Sequence, residues 1–438
     1  MTETLPSSLP VVAPPRADID YELFLDCVHC GLCTSACPTY VELGDENDSP
    51  RGRIYLMRAL NDGRIDLDAA VRRHLDLCLD CRACESACPS GVQYGKLIEP
   101  FRIHLSKTAG STENLGFVKR FLLYRFTPYA SRMRRALWPA RLMQRLGIDW
   151  LLGKIGFFRL LPKGLRELHA MLPRLRPHYG RLPEILPAIG PKRARVALFI
   201  GCAADAFFPQ TTLATAKVLQ HNGCEVWVPP NQGCCGALHY HAAREEPAIA
   251  FGEANCRAFL PPGAPPLDAI IVNAAGCGAM LKDYGHLLHS NPAGAALAAK
   301  VRDISEFLVE LGPVPPKHPL TMKAVYHDAC HLCHGQQIRK PPRQLLEMIP
   351  GLELLPLAET ELCCGAAGSY NLTQPDMAER LGQRKARHIL ATDAQAVFAG
   401  NVGCLLQIGR YVRQQRPAMR VAHPVDALLA SYEGKALT

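Results

Sequence analysis

Short apolar runs recur along the second half of the chain and predict buried strands. They lie at 194–201, 225–230, 269–277, 323–329, 352–358 and 396–404. Helical patterns separate the runs, most clearly from Gln374 to Leu390. Short runs rich in Val, Ile and Leu that alternate with helices are typical of parallel sheets in α/β units. The pattern therefore predicts α/β structure with parallel sheet in this half of the chain.

The six runs form two sets of three, because the second half of the chain is an internal repeat. Cysteines mark the repeat: Cys202, Cys234, Cys235 and Cys277 in the first copy, and Cys330, Cys363, Cys364 and Cys404 in the second. The offsets between corresponding cysteines are 128, 129, 129 and 127 residues. Each cysteine is predicted to lie just beyond the carboxyl end of a strand, the edge where open α/β sheets bind ligands.

The first hundred residues instead carry helical signals. Asp48 and Ser49 are candidate N-caps, Pro50 suits the first helical position, and Asp62-Gly63 ends the pattern. A second short helix is predicted from Asp68 to Leu77. These signals predict a helical first domain.

Length and composition limit the number of domains and indicate the cellular compartment. With 438 residues, 48% of them hydrophobic, the chain can form two or three domains. The N-terminal twenty residues read as a flexible, proline-rich lead-in and not as a secretory signal. Nineteen cysteines without an export signal favour a reducing compartment, which predicts a cytoplasmic protein. No stretch of about eighteen uncharged apolar residues occurs, so no transmembrane helix is predicted.

Positive charge is concentrated in the middle of the chain. Residues 115–195 contain eighteen Lys and Arg against three Asp and Glu, a net charge of +15, whereas the whole chain carries +9. Apolar side chains such as Trp138 and Leu142 interleave with these arginines, as in a basic amphipathic helix. Three interpretations remain open: contact with an anionic membrane surface, docking of a partner subunit, or a solvated linker. Nucleic-acid binding is not predicted, because no recognition motif accompanies the charge.

The strongest chemical signal is the pattern Cys-x-x-Cys-x-x-Cys-x-x-x-Cys-Pro, which occurs twice. It comprises Cys27, Cys30, Cys33 and Cys37, and then Cys78, Cys81, Cys84 and Cys88. In two-cluster ferredoxins three such thiolates hold one cubane 4Fe-4S cluster and the fourth reaches the other. Cluster 1 is therefore assigned to Cys27, Cys30, Cys33 and Cys88, and cluster 2 to Cys78, Cys81, Cys84 and Cys37.

Zinc and disulfides are the alternatives to clusters at these motifs. Structural zinc usually takes two separated Cys-x-x-Cys pairs, which a closely spaced triplet followed by Cys-Pro fits badly. The clusters exchange single electrons, so the chain is predicted to be part of an oxidoreductase. Arg51 and Arg53, on the predicted helix after Asp48, would raise the potential of a nearby cluster or would be solvent-exposed helix charges.

The cysteines of the repeat allow two interpretations. Four thiols in each copy could form an additional redox or cluster site, and the glycine after each Cys-Cys doublet would permit a turn that presents both thiols. Alternatively, the adjacent cysteines are small buried hydrophobic residues. Three cysteines outside the matched positions are predicted to be structural: Cys224, Cys256 and Cys333. Five nearby histidines could bind metal, shuttle protons or have structural roles. They are His239, His241, His327, His331 and His334.

Several segments resemble one known family. CVHCGLCTSACPTYVELGDENDSPRGRIYLMRAL, CLDCRACESACPSGVQYGKLIE, GCCGALHYH and LCCGAAGSYNLT are similar to iron-sulfur subunits of bacterial glycolate oxidase, also called glycolate dehydrogenase. The pairs GCGAMLKDYG and NVGCLLQIG favour the same family. The likeness runs from about residue 20 to the C-terminus and is weakest in the basic segment. One departure concerns the last cysteine of each repeat: Cys277 and Cys404 are not followed by the Cys-x-x-Cys ending of some relatives.

The resemblance implies an electron-transfer subunit without catalytic residues of its own. An FAD-containing partner would oxidise glycolate to glyoxylate, and this chain would pass single electrons to a quinone-type acceptor. Two 4Fe-4S clusters are expected here, with a further cluster in the repeats as an open question and FAD on the partner alone. Alternatives are a subunit of a lactate or glycerol-3-phosphate dehydrogenase complex, or a thiol-disulfide reductase similar to heterodisulfide reductase. Peripheral contact with the inner face of the cell membrane would fit the basic segment.

Together these features predict an α+β multidomain protein. The expected order is a flexible N-terminus (1–19), an α-helical ferredoxin domain (20–110), a basic helical linker (111–192), and two copies of an α/β cysteine-rich CCG domain (193–312 and 313–438).

Overall fold

The computed structural model describes residues 19–108, 120–178 and 180–437. Within them the chain divides into two compact units. The first contains the described residues up to Asp80 and those from Cys84 to Thr108, and the second contains Cys81–Ala83 and the described residues from 120 onward. The predicted fold class, a helical first domain followed by duplicated α/β structure with parallel sheet, is confirmed.

The first unit is helical, as its sequence predicts. Its α-helices are Glu22–Leu25, Pro38–Leu43, Pro50–Asn61, Ala69–Asp76, Ala83–Ser86 (which begins at the unit boundary) and Gly95–Thr108, with a 3₁₀ turn at Glu46–Asp48. Ser49 caps the third helix by accepting a hydrogen bond from Gly52 N, and Asp68 caps the fourth through Val71 N. Asp48, the other candidate cap, is buried and pairs with Arg53 instead. The core lies where the long helices meet, around Met57, Leu97 and Ile98.

Two sheets organise the second unit. The first contains β1 (Ile185–Leu186), β2 (Ala194–Phe199), β3 (Cys224–Trp227), β4 (Ala269–Val272) and β5 (Val301–Asp303) in the order β1-β3-β2-β4-β5. The second contains β6 (Met322–His327), β7 (Leu352–Leu355), β8 (Ala396–Ala399) and β9 (Arg420–Ala422) in the order β7-β6-β8-β9. All pairs are parallel except β1 with β3. The two copies therefore share one strand order.

This order places the chemistry of each sheet. The chain leaves β2 to one side to form β3 and then crosses to the other side to form β4, and β6, β7 and β8 do the same. Ligands of doubly wound sheets bind at the carboxyl ends of the strands where the order reverses. All six apolar runs form strands, but the sequence pattern missed β1, β5 and β9, which have only two or three residues each.

Helices cover both sheets and connect the strands. They are Ala130–Ala136, Trp138–Arg145, Ile148–Lys154, Lys163–Met171, Ala203–Phe207, Pro209–His221, Ala237–Tyr240, Glu245–Phe259, Ala275–Lys282, Tyr284–Leu287, Pro292–Lys300, Ile304–Leu311, Pro341–Glu347, Tyr370–Thr373, Pro375–Leu390, Val402–Gln415 and Pro424–Glu433, with π-helical turns at Leu122–Phe126 and His331–Gly335 and a 3₁₀ turn at Phe157–Leu160. None of the helices in the described parts of the chain is long and apolar enough to cross a membrane.

The two copies pack against each other through their outer helices. Thr211 donates a hydrogen bond to Asp426 at 3.0 Å, and Lys217 pairs with Glu433 at 2.9 Å. The ring of His221 stacks on Tyr432, with centroids 5.1 Å apart. A shared apolar core beneath these contacts includes residues from both sheets. The duplicated half of the chain is thus one packed body.

Candidate functional site

The two cysteine motifs of the ferredoxin-like unit have positive φ angles at matched positions. His29 and Asp80, each two residues after the first cysteine of its motif, have φ angles of 53° and 52°. Gly31 and Arg82, two residues further along, have φ angles of 88° and 59°. Non-glycine residues rarely adopt this left-handed conformation, which costs of order 1–2 kcal/mol per residue. Both motifs therefore use left-handed residues two and four positions after their first cysteine.

One pocket collects the four cysteines predicted to hold cluster 1. Cys27, Cys30, Cys33 and Cys88 line it, and so does Cys84 of the second predicted set. Burial raises the pKa of Cys27 and Cys33, and neighbouring cysteine thiolates raise it further. Thiolates so close to one another need a cationic centre between them, and four thiols are the donor set of a cubane cluster. The residues fit the cluster, and the ligand assignment itself stays a prediction.

The second predicted set is more deeply placed. Cys37 and Cys78 are buried. The sulfur of Cys78 accepts hydrogen bonds from the backbone of Asp80 at 3.4 Å and from the hydroxyl of Tyr94 at 3.6 Å. Such donors stabilise a thiolate and the negative charge of a cluster bound to it. Cys81 is also buried but is grouped with the second unit, so its part in cluster 2 stays a prediction.

Arg53 supports Cys37 from inside the protein. Its guanidinium is 1% exposed, donates to Cys37 Sγ at 3.8 Å and to Thr39 Oγ1 at 3.0 Å, and pairs with the buried carboxylate of Asp48 at 3.2 Å. The interpretation of Arg53 as a solvent-exposed helix charge is therefore wrong. Arg51 is partly exposed, pairs with Glu46, and lines the pocket of the first set.

The four cysteines of the first copy meet at the carboxyl edge of their sheet. The Sγ atoms of Cys202 and Cys234 are 3.6 Å apart. A hydrogen bond from the Cys202 thiol holds the pKa of Cys234 well below its usual range. The pKa of Cys235 is raised by hydrogen bonds with two other thiols, mainly with that of Cys234 and secondly with that of Cys277. The structure therefore brings all four predicted residues together.

The second copy repeats this arrangement with its own four cysteines. The Sγ atoms of Cys330 and Cys363 are 3.8 Å apart. Hydrogen bonds from the thiols of Cys363 and Cys404, in that order, hold the pKa of Cys364 well below its usual range. All four side chains are buried. Each copy thus gathers four sulfurs, and their role as a redox or cluster site stays a prediction.

The glycine after each doublet makes this turn possible. Gly236 and Gly365 have φ angles of 88° and 83°. A side chain at Gly365 would also lie 2.9 Å from the carbonyl oxygen of Ala378. The sequence prediction of a turn that only glycine tolerates agrees with both positions.

Asn401 connects the two cysteine sets, which sequence reasoning did not foresee. Its amide donates to Cys404 Sγ at 3.6 Å, and its Oδ1 accepts from the backbone of Gly276, the neighbour of Cys277, at 3.4 Å. The adjacent backbones also bond, from Ala275 N to Gly400 O at 3.0 Å. The signal was present in the sequence, because an asparagine precedes the last cysteine in both copies.

The histidines near the repeats have different surroundings. His239 packs between the rings of Tyr124 and Phe251, and burial lowers its pKa, which indicates a structural role. His331 Nδ1 lies 3.5 Å from Cys330 Sγ. His327 lies with Cys364 and Cys404, and their ligating atoms are all within 4.8 Å of one another.

The remaining histidines and unmatched cysteines complete the picture. The ring of His241 lies 5.4 Å from that of His331, and His334 Nε2 lies 3.4 Å from the carbonyl of Glu361. Three cysteines predicted to be structural are buried: Cys224, Cys256 and Cys333. The thiol of Cys333 donates to the carbonyl of Cys330 at 3.8 Å.

Between Leu122 and Met171 the basic linker is mainly helical, and it packs partly on the first copy. Arg134 pairs with Asp205, and Arg141 donates to the carbonyl of Ala206 at 2.7 Å. The opposite face of the linker is apolar and exposed: Trp138, Leu146, Trp150, Ile155 and Leu160 are between 62% and 82% exposed. The linker helices therefore contact the first copy on one side and expose apolar side chains to solvent on the other.

Comparison with known protein families covers these same regions. A 4Fe-4S dicluster domain model matches residues 24–92, and a cysteine-rich domain model matches twice, at 196–282 and 324–409. A model described as the linker region of the glycolate oxidase iron-sulfur subunit matches residues 114–172. A solved structure of a hypothetical protein from Helicobacter pylori aligns with a TM-score of 0.49 and 10% identity over 88% of this chain and 68% of that chain, which is too remote to inform function.

Curated relatives extend over nearly the whole chain. The probable glycolate oxidase iron-sulfur subunit of Bacillus subtilis is 40% identical over 92% of this chain and 93% of its own length. The glycolate oxidase iron-sulfur subunit of Escherichia coli is 34% identical over 86% and 88%, respectively. Lactate utilization protein A of Geobacillus kaustophilus is 32% identical over 54% of this chain and 99% of its own length. Together with the cluster loops and the paired thiol sites, these relationships show that the chain belongs to the family of glycolate oxidase iron-sulfur subunits.

Proposed function

We propose that this chain is the electron-transfer subunit of an FAD-dependent glycolate dehydrogenase complex. The observation that carries the proposal is the pair of cysteine motifs with matched positive φ angles, the first of which shares a single pocket with Cys88 of the second. When bound, 4Fe-4S clusters accept and release one electron at a time. Glycolate oxidation to glyoxylate would take place on a flavoprotein partner.

The two cysteine sets suit different ends of such a relay. Cys30 is exposed, so electrons can reach cluster 1 from a docked partner without crossing much protein. Cys37 and Cys78 are buried and surrounded by donors from Arg53, Tyr94 and the backbone. These donors would hold the second cluster at a higher potential and draw electrons inward. A quinone-type acceptor would receive them.

The direct test uses the assembled complex. The chain is purified anaerobically with its flavoprotein partners, mixed with glycolate, and frozen for electron paramagnetic resonance. Reduced clusters should appear with the glyoxylate. Oxidised clusters beside a fully reduced flavin would contradict the proposal. Lactate and glycerol 3-phosphate in parallel samples test the alternative substrates, of which lactate is suggested by the relatives named for lactate utilization.

Single-cysteine variants test the crossed ligand assignment. Cys37→Ser should damage the cluster held by Cys78, Cys81 and Cys84, and Cys88→Ser the other. The control is Cys224→Ser, because this thiol is buried in β3 and burial raises its pKa to about 12. Both clusters should survive that substitution. Loss of the same cluster in both Cys37→Ser and Cys88→Ser would contradict the crossing.

The repeats extend the proposal to a further redox or cluster site. The first copy gathers four thiols that are chemically suited to iron: Cys202, Cys234 and Cys235, which are buried, and Cys277, which is partly exposed. Iron content decides the matter: eight irons per chain correspond to the two ferredoxin clusters alone. If the site instead performs thiol-disulfide chemistry, as in the reductase alternative, Cys234→Ser should abolish turnover while both ferredoxin clusters remain.

The exposed face of the linker supports peripheral contact with a membrane. This face includes Trp138 and Trp150, and basic residues such as Arg145 and Lys154 lie near them in the sequence. Aromatic and aliphatic side chains next to basic ones are the composition of helices that lie in the interface of an anionic bilayer. Such a location would bring the chain to a membrane-dissolved quinone.

A further inference from the structure

The two cysteine sets differ at one position that the repeat otherwise matches. The strand before the first cysteine ends with Phe199 in the first copy and with His327 in the second. These residues have the same register, because Phe199 pairs with Val272 and His327 pairs with Ala399 on the equivalent neighbouring strands. Both side chains are buried. The first copy therefore offers thiols alone, whereas the second adds an imidazole.

The imidazole of His327 is oriented by a hydrogen bond on its far side. Its Nδ1 lies 3.0 Å from the carbonyl oxygen of Thr360, which can only accept, so Nδ1 carries the proton. Nε2 is then left with a lone pair. This atom is buried and has no hydrogen-bond partner among the described residues. It faces the thiols of Cys364 and Cys404, within 4.8 Å.

A chain of polar contacts holds that orientation. The hydroxyl of Thr360 donates to Asp328 at 2.7 Å, and Arg343 binds the same carboxylate with both terminal nitrogens, at 2.7 and 2.5 Å. Histidines that bind metals commonly donate their second N–H to a carbonyl that is itself fixed in this way. The imidazole is thus prepared to bind through Nε2 before any ligand arrives.

The thiols supply the remaining donors. The fourth donor would be one thiol of Cys330 and Cys363, whose sulfurs are 3.8 Å apart. Three donors, Cys364, Cys404 and His327, already lie within 4.8 Å of one another, so closing on a metal needs movements of about an ångström. Lys385, whose Nζ donates to the carbonyls of Glu359 and Thr360, adds a buried positive charge that offsets the thiolates.

We propose that the second copy binds one zinc ion through His327, Cys364, Cys404 and one thiol of the Cys330–Cys363 pair. Zinc takes mixed sulfur and imidazole ligands in a closed tetrahedral site. A site without an open position is structural, so the metal would fix the second sheet's carboxyl edge against the first copy through Asn401. The first copy, with Phe199 packed on Phe259 at a centroid distance of 6.0 Å, has no nitrogen donor in this place and does not share the site.

Metal content of the full chain tests the proposal. The protein is expressed with zinc and iron, purified anaerobically, and measured for both metals by mass spectrometry. The wild type should contain one zinc per chain in addition to the ferredoxin iron. His327→Gln keeps a donor for the Thr360 carbonyl but binds zinc poorly, and it should lower the zinc content at least tenfold. Cys234→Ser, a change among the thiols of the first copy, should leave zinc unchanged.

Two further measurements keep the result interpretable. His327→Phe installs the residue of the first copy and should also lose zinc; if that variant fails to fold, His327→Gln decides. Cobalt added to metal-free protein should produce the visible absorption of tetrahedral sulfur-bound Co²⁺ in the wild type and not in His327→Gln. The proposal is overturned if the wild type lacks zinc, if His327→Gln retains it, or if Cys404→Ser removes iron in place of zinc.

Discussion

At the scale of single residues, the surroundings of a side chain decide whether its charge matters. Arg51 and Arg53 stand two positions apart on one helix, and each pairs with a carboxylate. The Arg51–Glu46 pair is 30% and 49% exposed, whereas the Arg53–Asp48 pair is 1% and 0% exposed. An exposed pair contributes little, but removing one partner of a buried pair leaves an uncompensated charge.

Arg53→Met is therefore expected to destabilise the first unit by about 3–5 kcal/mol. Arg51→Met is the matched control and should leave the stability almost unchanged, because the charge of Arg51 is accessible to solvent. Hydrogen exchange of the helix Pro50–Asn61, followed by mass spectrometry, measures both. Equal protection in the two variants would show that Arg53 does not stabilise this unit.

A buried histidine makes the stability of the second unit depend on pH. His423 caps the last helix by accepting a hydrogen bond from Val425 N, and burial lowers its pKa to about 4. The contribution of neutral His423 to folding stability is fully present above the pKa of an unfolded histidine, near 6.5, and is lost as pH falls through 4. Burial raises the pKa of Asp426 to about 6. The contribution of Asp426 to stability therefore has the opposite pH dependence and is lost as pH rises through 6.

The two groups oppose each other, so a difference measurement isolates His423. His423→Asn keeps a cap and removes the titration. The stability difference between wild type and variant should grow by about 2–3 kcal/mol as pH rises from 4 to 6.5. Urea unfolding followed by tryptophan fluorescence is suitable, because all three tryptophans lie in the second unit. A difference that does not change with pH would refute the assignment.

At the scale of elements, each cysteine site depends on a tight turn at the end of a strand. Strand, turn and helix succeed one another in the same order in both copies, and the doublet follows β3 in one and β7 in the other. The periodicity of the sequence was sufficient to predict the strands, because their apolar runs are local. It missed β1, β5 and β9, since strands of two or three residues are defined by their neighbours and not by their own pattern.

Gly365→Ala tests the turn directly. The substitution meets both a φ of 83° and a contact of 2.9 Å with the Ala378 carbonyl. Gly263→Ala is the control, because Gly263 has a similar φ of 76° but open space around its Cα. Backbone strain of about 1 kcal/mol is common to both, and the clash should add roughly 1–3 kcal/mol at Gly365. Urea unfolding by tryptophan fluorescence should separate them; equal midpoints would disprove the role of the clash.

At the scale of the whole molecule, the uneven charge and the exposed linker face concern its surroundings. Residues 115–195 carry a net charge of +15, and the outward apolar residues of this segment include two of the three tryptophans. Trp138 and Trp150 are exposed in the described chain. An anionic bilayer would accommodate both these apolar side chains and the positive charge of the neighbouring basic residues.

Flotation with vesicles measures this contact. Full chain should float with vesicles containing anionic lipid and much less with neutral ones, because basic residues contribute about 1 kcal/mol each at an anionic surface. Trp138→Ser and Trp150→Ser should each weaken binding about tenfold, since burying an aromatic side chain contributes roughly 1.5–3 kcal/mol. Tyr55→Ser, an exposed aromatic of the first unit, should have no effect. Undiminished flotation of both tryptophan variants would exclude the linker as the contact.

Local patterns in the amino-acid sequence were sufficient to predict which chemistry the chain can carry. Two cubane motifs, a cysteine repeat and six apolar runs are spacings along the chain, and spacing is a local property that needs no coordinates. Tertiary structure decided what those residues meet. The burial of Arg53, the bridge at Asn401 and the position of His327 opposite Cys364 and Cys404 all depend on contacts between segments far apart in sequence. Such contacts arise only when sheets and helices pack. For this reason the sequence did not single out His327 among the histidines, although its position beside the cysteines distinguishes the second copy from the first.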